Sequence, residues 1–238
     1  MEYNLFWNSY YKYLEIKDDE KISLRKRKEI INNKFHYPII ISFMNNKMFY
    51  SVEKNYYEKF LKDININSMI NKEEIKNYIK ILLQNQMQHF RIKEMYRMYK
   101  NEGKNDIDIS RVISINNGQK KEYFNSFKIR RDDVYKEKKW KEISKNNFLK
   151  GIIKDNKIVS MGYISNINYG MGNIVIQTIE EYQNRGYGKM VVEKISQEAL
   201  KNSILPIYWV ENKNIASIKL AESLGFKRVV DEIVVSRE

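Results

Sequence analysis

The residues best suited to do chemistry form one short run, Gln183-Asn184-Arg185-Gly186-Tyr187-Gly188-Lys189. It stands between an apolar stretch, residues 173–179, and a helical pattern over 186–201 with Met190, Val191, Ile195, Ala199 and Leu200 on one side. A helix N-terminus leaves about four backbone N–H groups without intrahelical partners, and the helix dipole adds partial positive charge there. Glycines at 186 and 188 remove Cβ atoms, so a pyrophosphate can approach the backbone closely. Arg185 and Lys189 add counter-charge. The run matches neither G-x-x-x-x-G-K-[ST] nor G-x-G-x-x-G, so it reads as a diphosphate cradle shorter than either.

Other chemistry is thin. The chain has no cysteine, which removes disulfides, thiolate catalysis and Cys-based zinc sites. His36 and His89 are the only histidines, and nothing is spaced around them for zinc. We therefore expect no metal. His89, beside Phe90, reads as structural. No Gly-x-Ser-x-Gly elbow occurs.

The elements that must position the loop are clearest in the last ninety residues. Residues 148–154 and 157–164 flank an Asp155-Asn156 turn and predict a hairpin. Residues 173–179 and 206–210 predict strands on either side of the 186–201 helix, a βαβ unit with at least one parallel pair. A second helix over 215–224 ends at Gly225, and a final strand or hairpin spans 226–235. Upstream, Leu5, Phe6, Tyr10, Tyr13 and Leu14 suggest a helix that continues as a polar helix over 21–32. Residues 38–44 and 47–52 predict strands around an Asn45-Asn46 turn. Residues 56–63 predict a helix. Asn71 and Glu74 suggest a capping box for a helix bearing Ile75, Tyr78, Ile79, Leu82 and Leu83. That helix is expected to run on, or to restart, through Met87, Phe90, Met95 and Met98, a stripe that reads as core. Residues 100–107 are the best linker, 111–115 a short strand, and 120–147 a charged helical region.

A chain of 238 residues, 42% hydrophobic with 18 Tyr and 10 Phe, has enough apolar surface to bury a core, which excludes a disordered protein. No apolar run reaches the ~18 residues a membrane helix needs, and Met1-Glu2-Tyr3-Asn4 does not open a signal peptide. A cytoplasmic protein is the expectation. Residues 148–238 hold 12 Lys+Arg and 10 Asp+Glu, so +11 of the net +13 lies ahead of them. A basic half suits an anionic partner. Lys outnumbers Arg, however, amid abundant Asn, Ile and Tyr, and this reads more simply as an AT-rich coding bias. Nucleic-acid binding is not the first reading.

Beyond the loop, Tyr208-Trp209, then Asn214-Ile215-Ala216-Ser217 and Leu220-Ala221-Glu222, then Leu224-Gly225-Phe226 follow in order. With the Gln/Arg-x-x-Gly-x-Gly loop after a strand, residues 148–238 resemble the GNAT superfamily of N-acetyltransferases, and in detail a branch of uncharacterised Gram-positive acetyltransferases. The resemblance implies an α/β (α+β) protein. Its GNAT fold has a mixed central sheet flanked by helices and occupies 106–238. A helix-rich α+β region, 1–105, precedes it and shapes an acceptor pocket or a dimer surface.

The resemblance also implies roles. Backbone groups of Ile176 and Thr178 would pair with a pantetheine arm, with the Thr178 amide facing a thioester carbonyl. Gln183, Asn184, Arg185, Gly186, Tyr187, Gly188 and Lys189 would hold the pyrophosphate of acetyl-CoA. Asn214 would bond the arm or cap the helix after it. Glu211, at a strand end, is the first choice of base, with Glu180 and Glu181 next. Many relatives carry a tyrosine acid in the second helix, but here that position is Ala221. Ser217 or Tyr208 would take its place, although a core aromatic is the simpler identity of Tyr208. The implied reaction is acetyl transfer from acetyl-CoA to a primary amine of a small molecule or peptide. An RNA- or tRNA-directed acetyltransferase and a non-catalytic CoA-binding module stand as alternatives.

Overall fold

Apolar runs and turn residues set the element order. In the computed structural model this is α1 (Tyr3–Leu14), β1 (Ile22–Leu24), β2 (Ile39–Met44), β3 (Lys47–Val52), α2 (Lys72–Gln84), β4 (Phe90–Tyr99), β5 (Ile113–Ser114), α3 (Lys120–Ser126), α4 (Asp133–Ile143), β6 (Lys150–Lys154), β7 (Lys157–Asn168), β8 (Met171–Thr178), α5 (Tyr187–Lys201), β9 (Leu205–Glu211), α6 (Ile215–Ser223) and β10 (Lys227–Arg237). The structure describes residues 3–16, 22–24, 37–44, 47–54, 56–58, 71–84, 89–103, 106–127 and 132–237. The protein is mixed α/β, with parallel and antiparallel strand pairs and flanking helices. Among the described residues no helix is long and apolar enough to cross a membrane.

The chain divides into two compact units. One takes Tyr3–Arg97, Val210–Asn214 and Arg228–Glu238. Its strands lie in the order β1-β3-β2-β10-β4. β2 pairs antiparallel with both β3 and β10, and the β10 register runs from Asp231↔Phe43 to Val235↔Ile39. Ile39, Ile41, Tyr50, Val52, Ile233 and Val235 meet Ile75, Ile79, Leu82 and Leu83 of α2 in one core. Each fully buried aliphatic side chain of this kind contributes about 1.5–3 kcal/mol. Asn71 caps α2, its Oδ1 accepting from Glu73 N at 2.8 Å.

Two expectations fail in this unit. Residues 22–24 form β1, parallel to β3, where a continuing helix was expected; pairing with Tyr50–Val52 overrides weak local propensity. The Met and aromatic stripe after α2 is the strand β4, not helix. Phe90, Ile92, Tyr96 and Met98 alternate with Arg91, Lys93 and Arg97, a period of two that the scattered methionines disguise as a helical face. The expected Asn45-Asn46 turn, residues 59–63 of the expected helix, the remainder of the 21–32 segment, His36 and Met87 lie outside the described residues.

The second unit takes Met98–Trp209 and Ile215–Lys227. Its strands follow the order β9-β8-β7-β6-β5. The expected hairpin is β6–β7, with Asp155 and Asn156 both left-handed at its turn, and β7 runs four residues past the expected end. β5 is only two residues long, although the Ile115 amide continues the contact to Leu149 O at 3.1 Å. Tyr123, Phe127, Trp140 and Ile143 of the helical region pack with Leu149, Ile158 and Met161. Val191, Val192, Ile195 and Ala199 are the buried face of α5. Gly162 of β7 lets that helix close on the sheet: a Cβ there would stand 3.0 Å from Ile195 Cδ1 and 2.8 Å from Val175 O.

Candidate active site

The site is built at the end of β8. Met161↔Gln177 lie opposite in the β7–β8 register, and the Ile179 amide donates to Val159 O at 3.0 Å. Antiparallel strands alternate, so Gln177 and Ile179 turn their backbone groups to β7, while Ile176 and Thr178 turn theirs to the opposite edge. On that edge β8 pairs in parallel with β9, and the register runs only from Met171↔Leu205 to Asn173↔Ile207. Past it, the Asn173 side chain intervenes: its Oδ1 accepts the Trp209 amide at 3.0 Å, and its Nδ2 donates to Ser165 Oγ at 3.1 Å. The two strands therefore part, and the backbone of Ile176 and Thr178 lies beyond the paired segment. An extended ligand could add there as a strand.

A single 3-10 turn, Glu180–Tyr182, leads from β8 into the loop. Gln183 folds back, its Nε2 donating to Thr178 O at 3.3 Å. Asn184 (φ 60°) and Gly186 (φ 82°) are both left-handed. Asparagine tolerates this conformation and glycine takes it freely, and such alternation turns successive N–H groups into a concave anion nest. Gly186 is the N-cap of α5 and makes no side-chain cap. The first amide to close a turn is that of Met190, donating to Gly186 O at 3.1 Å. Among the described residues no backbone acceptor meets the amides of Asn184 to Lys189. Residues 183–186 and Lys189 are exposed. A Cβ on Gly186 would meet nothing within 4 Å, and one on Gly188 would stand 3.4 Å from Thr178 Oγ1 and 3.7 Å from Leu220 Cδ2. The glycines thus hold open space over bare amides at the positive end of a 15-residue helix. Arg185 stacks on Tyr182, its guanidinium carbon 5.1 Å from the ring centre, with Lys154 Nζ at 5.9 Å and the Tyr187 ring at 6.1 Å.

Tyr208 and Ser217 also belong to this unit. Tyr208 is the first β9 residue beyond the paired segment, level with Ile174. It is 4% exposed, and its ring meets Phe226 edge-on at 5.5 Å. The chain reaches Phe226 through a Schellman turn. The Phe226 amide donates to Ala221 O at 3.1 Å and the Gly225 amide to Glu222 O at 2.9 Å, with Gly225 left-handed. Burial pushes the Tyr208 phenol well above its ordinary range, and the Ser217 hydroxyl beside it opposes the rise. The phenol oxygen closes no well-formed hydrogen bond among the described residues. Ala221 is fully buried.

Glu211 and Asn214 fall in the other unit. Glu211 Oε2 lies 3.8 Å from Lys93 Nζ, and the Asn214 amide donates to Glu211 O at 2.9 Å. Asn214 immediately precedes α6, where a helix cap belongs. Glu180 and Glu181 are exposed. The sequence reading missed Asn173 and Ser160, whose Oγ lies 2.9 Å from Thr178 Oγ1. The signal was a polar residue inside each of two apolar runs. It also passed over Tyr182, the ring under Arg185.

A protein-family model described as GNAT acetyltransferase matches residues 40–231, starting well ahead of Phe148. Among solved structures, an acetyltransferase of the GNAT family from Colwellia psychrerythraea is 14% identical, with a TM-score of 0.51 over 68% of this chain and 62% of that one. The chain thus spans less than two thirds of that protein's length, and at this identity the likeness speaks to the fold alone. A GCN5-related N-acetyltransferase-like protein from Streptococcus suis is 13% identical, with a TM-score of 0.47 over 82% of each chain. No curated protein matches the chain.

Proposed function

The chain belongs to the GNAT acetyltransferase family, and from that premise we propose that it transfers an acetyl group from acetyl-CoA to a primary amine of a small molecule or peptide. The observation that carries this reading is the exposed strand-to-helix turn whose amides, Asn184 to Lys189, meet no backbone acceptor among the described residues. Unpaired N–H groups at a helix start attract a phosphate, and two consecutive phosphates match a run of several such groups.

Acetyl-CoA supplies an activated acyl group and a thiol that can leave. The residues do the rest. Amides of Asn184, Arg185, Gly186, Tyr187, Gly188 and Lys189 hold the diphosphate, with Gln183 fixing the loop to β8 and Arg185 and Lys189 adding charge. The free edge at Ile176 and Thr178 binds the pantetheine amides as a neighbouring strand would. The Thr178 N–H then faces the acyl carbonyl and stabilises the negative charge that grows on its oxygen during attack, an effect worth about 3 kcal/mol per well-placed donor. Glu211 is proposed to accept the amine proton and Asn214 to bond the arm. These two roles rest on their positions in the chain, at the end of β9 and the start of α6.

Calorimetric titration with acetyl-CoA, followed by free-thiol release across a panel of primary amines, tests the proposal. Micromolar binding with amine-dependent thiol release is expected. Binding without turnover on any amine would recast the protein as a CoA-binding module, and no binding would remove the acyl-carrier reading.

A further inference from the structure

Resting on the acyl-CoA reading above, we infer that the acceptor is a monoamine with an aromatic body, an arylalkyl amine, and that Tyr163, Val175 and Trp209 form the row on which this body lies. The step balances as follows. The unprotonated nitrogen forms a bond to the carbonyl carbon; the C–S bond breaks with its electron pair going to sulfur; the proton that the nitrogen loses to base ends on the sulfur. Amide and thiol are the net products.

The direction of attack is the first support. A thioester bound as an added strand lies in the plane of the sheet, its carbonyl oxygen turned to the Thr178 amide. A nucleophile adds to a carbonyl from above or below that plane, so the amine arrives over one of the two sheet faces. α5 closes one of them. A Cβ on Gly162 would stand 3.0 Å from Ile195 Cδ1, and one on Gly188 would stand 3.4 Å from Thr178 Oγ1 and 3.9 Å from Ile176 Cγ1. Strand side chains alternate, so Val175 and Gln177 turn to the other face. Tyr163 lies opposite Val175, and Met161 opposite Gln177. Ile207 is in register with Asn173; two residues on from each, Trp209 and Val175 keep the same face. Tyr163, Val175 and Trp209 thus cross three neighbouring strands in one row.

The character of that row is the second support. Met161 is buried in the core of Tyr123 and Trp140, but Tyr163, Val175 and Trp209 are only half-buried and Gln177 is exposed. The row therefore offers two rings and a valine beside the free edge. β7, β8 and residues 205–210 of β9 contain no Asp or Glu. The charge beside the row is positive, with Lys139 Nζ 5.8 Å from the centre of the Tyr163 ring. A diamine or polyamine keeps a second ammonium group, which meets that lysine and finds no carboxylate on these strands. An aromatic ring instead gains by covering apolar surface. Length agrees as well. With the carbonyl at Thr178 the nitrogen stands over Gln177, and Val175 lies two residues back along the strand, about 7 Å. A two-carbon arm and a ring span that distance.

The test is thiol release from acetyl-CoA with 2-phenylethylamine and tryptamine on one side and putrescine and spermidine on the other, with acetyl-CoA affinity measured by calorimetry. The aromatic amines should be used with a kcat/KM at least about 10-fold higher. Trp209→Leu should raise KM for 2-phenylethylamine about 10-fold with kcat and acetyl-CoA affinity within about twofold, the pattern of lost acceptor binding rather than lost folding. Val175→Glu sets a carboxylate in the row and should reverse the preference between 2-phenylethylamine and putrescine. That ratio compares two amines on the same protein, so a loss of stability alone does not move it. Preference of the wild-type protein for the diamine or polyamine, turnover of no amine, or an unchanged KM in Trp209→Leu would overturn the inference while acetyl-CoA binding still stands. Failure of the wild-type protein to bind acetyl-CoA would remove both.

Discussion

Two buried tyrosines, one in each compact unit, have opposite surroundings. Tyr10 donates to Glu232 Oε1 at 2.5 Å and lies 2.7 Å from Ser42 Oγ. Arg97 bonds the same carboxylate through Nε at 3.1 Å and Nη2 at 3.3 Å, and stacks over the rings of Tyr10 and Tyr13 at 5.1 and 4.8 Å. Charge and hydroxyl are mutually satisfied there, in a network that fixes α1 to β2, β4 and β10. Tyr208 is buried nearly as deeply and closes no such bond. The same contrast holds between the paired carboxylate of Glu232 and the amides of residues 184–189, which meet no backbone acceptor among the described residues. Where polar groups are fully partnered, the fold uses them as architecture. Where they are left open at a strand or helix end, a ligand can complete them.

The largest expected effect tests the architectural side. Glu232→Ala leaves the Arg97 charge buried without its partner and should cost about 3–5 kcal/mol of stability, read by denaturant unfolding, with the loop unit's acetyl-CoA affinity little changed at temperatures where the protein stays folded. Next comes Gly186→Val. A β-branched residue at φ 82° is strained by about 1–2 kcal/mol, and its methyls would occupy the open space above the amides. Affinity for acetyl-CoA should fall about 100-fold by calorimetry; an unchanged affinity would break the parallel between bare amides and ligand. The third prediction pairs the tyrosines. Tyr10→Phe removes one of the bonds to Glu232, which Arg97 still holds, and should cost about 1–3 kcal/mol, whereas the matching change at Tyr208 should cost less; equal losses would erase the distinction between them.

The smallest effect is acid sensitivity. Burial pushes the Asp231 carboxyl up, but bonds from Arg228 at 2.5 and 2.7 Å and from Lys72 at 2.7 Å outweigh it and hold the group below its ordinary value. A carboxyl depressed in the folded state stabilises it above the unfolded value, about 3.9, and this contribution is lost as pH falls through the lower folded value. Asp231→Asn should therefore flatten the acid limb of stability below about pH 4 and leave its slope near pH 7 unchanged, as measured by thermal melts across pH.

The sequence showed much of the loop unit because its signals are local. Gly186 and Gly188 mark the loop, Asp155-Asn156 the hairpin and Gly225 the helix end, and each stands within a few residues of the element it shapes. The N-terminal unit was harder. β4 was misread because Met95 and Met98 fit a helical stripe as well as a strand, and only β-pairing decides between them. That β10 would sit against β2 depends on contacts nearly the whole chain apart, which no periodicity records. In the site, the cradle was legible from residue types alone. The parting of β8 and β9 was not, because it turns on one side chain, Asn173, taking a backbone amide. Nor could spacing show that the Tyr208 hydroxyl is buried beside Ser217.

The central claim is that an acyl-CoA diphosphate rests on the amides of residues 184–189. Amide-resolved NMR of the 15N-labelled protein titrated with CoA tests it most directly. Shifts that saturate together at Asn184, Arg185, Gly186, Tyr187, Gly188 and Lys189, with a second set at Ile176 and Thr178, are predicted. Saturable shifts confined to other parts of the chain, or none at millimolar CoA, would contradict it.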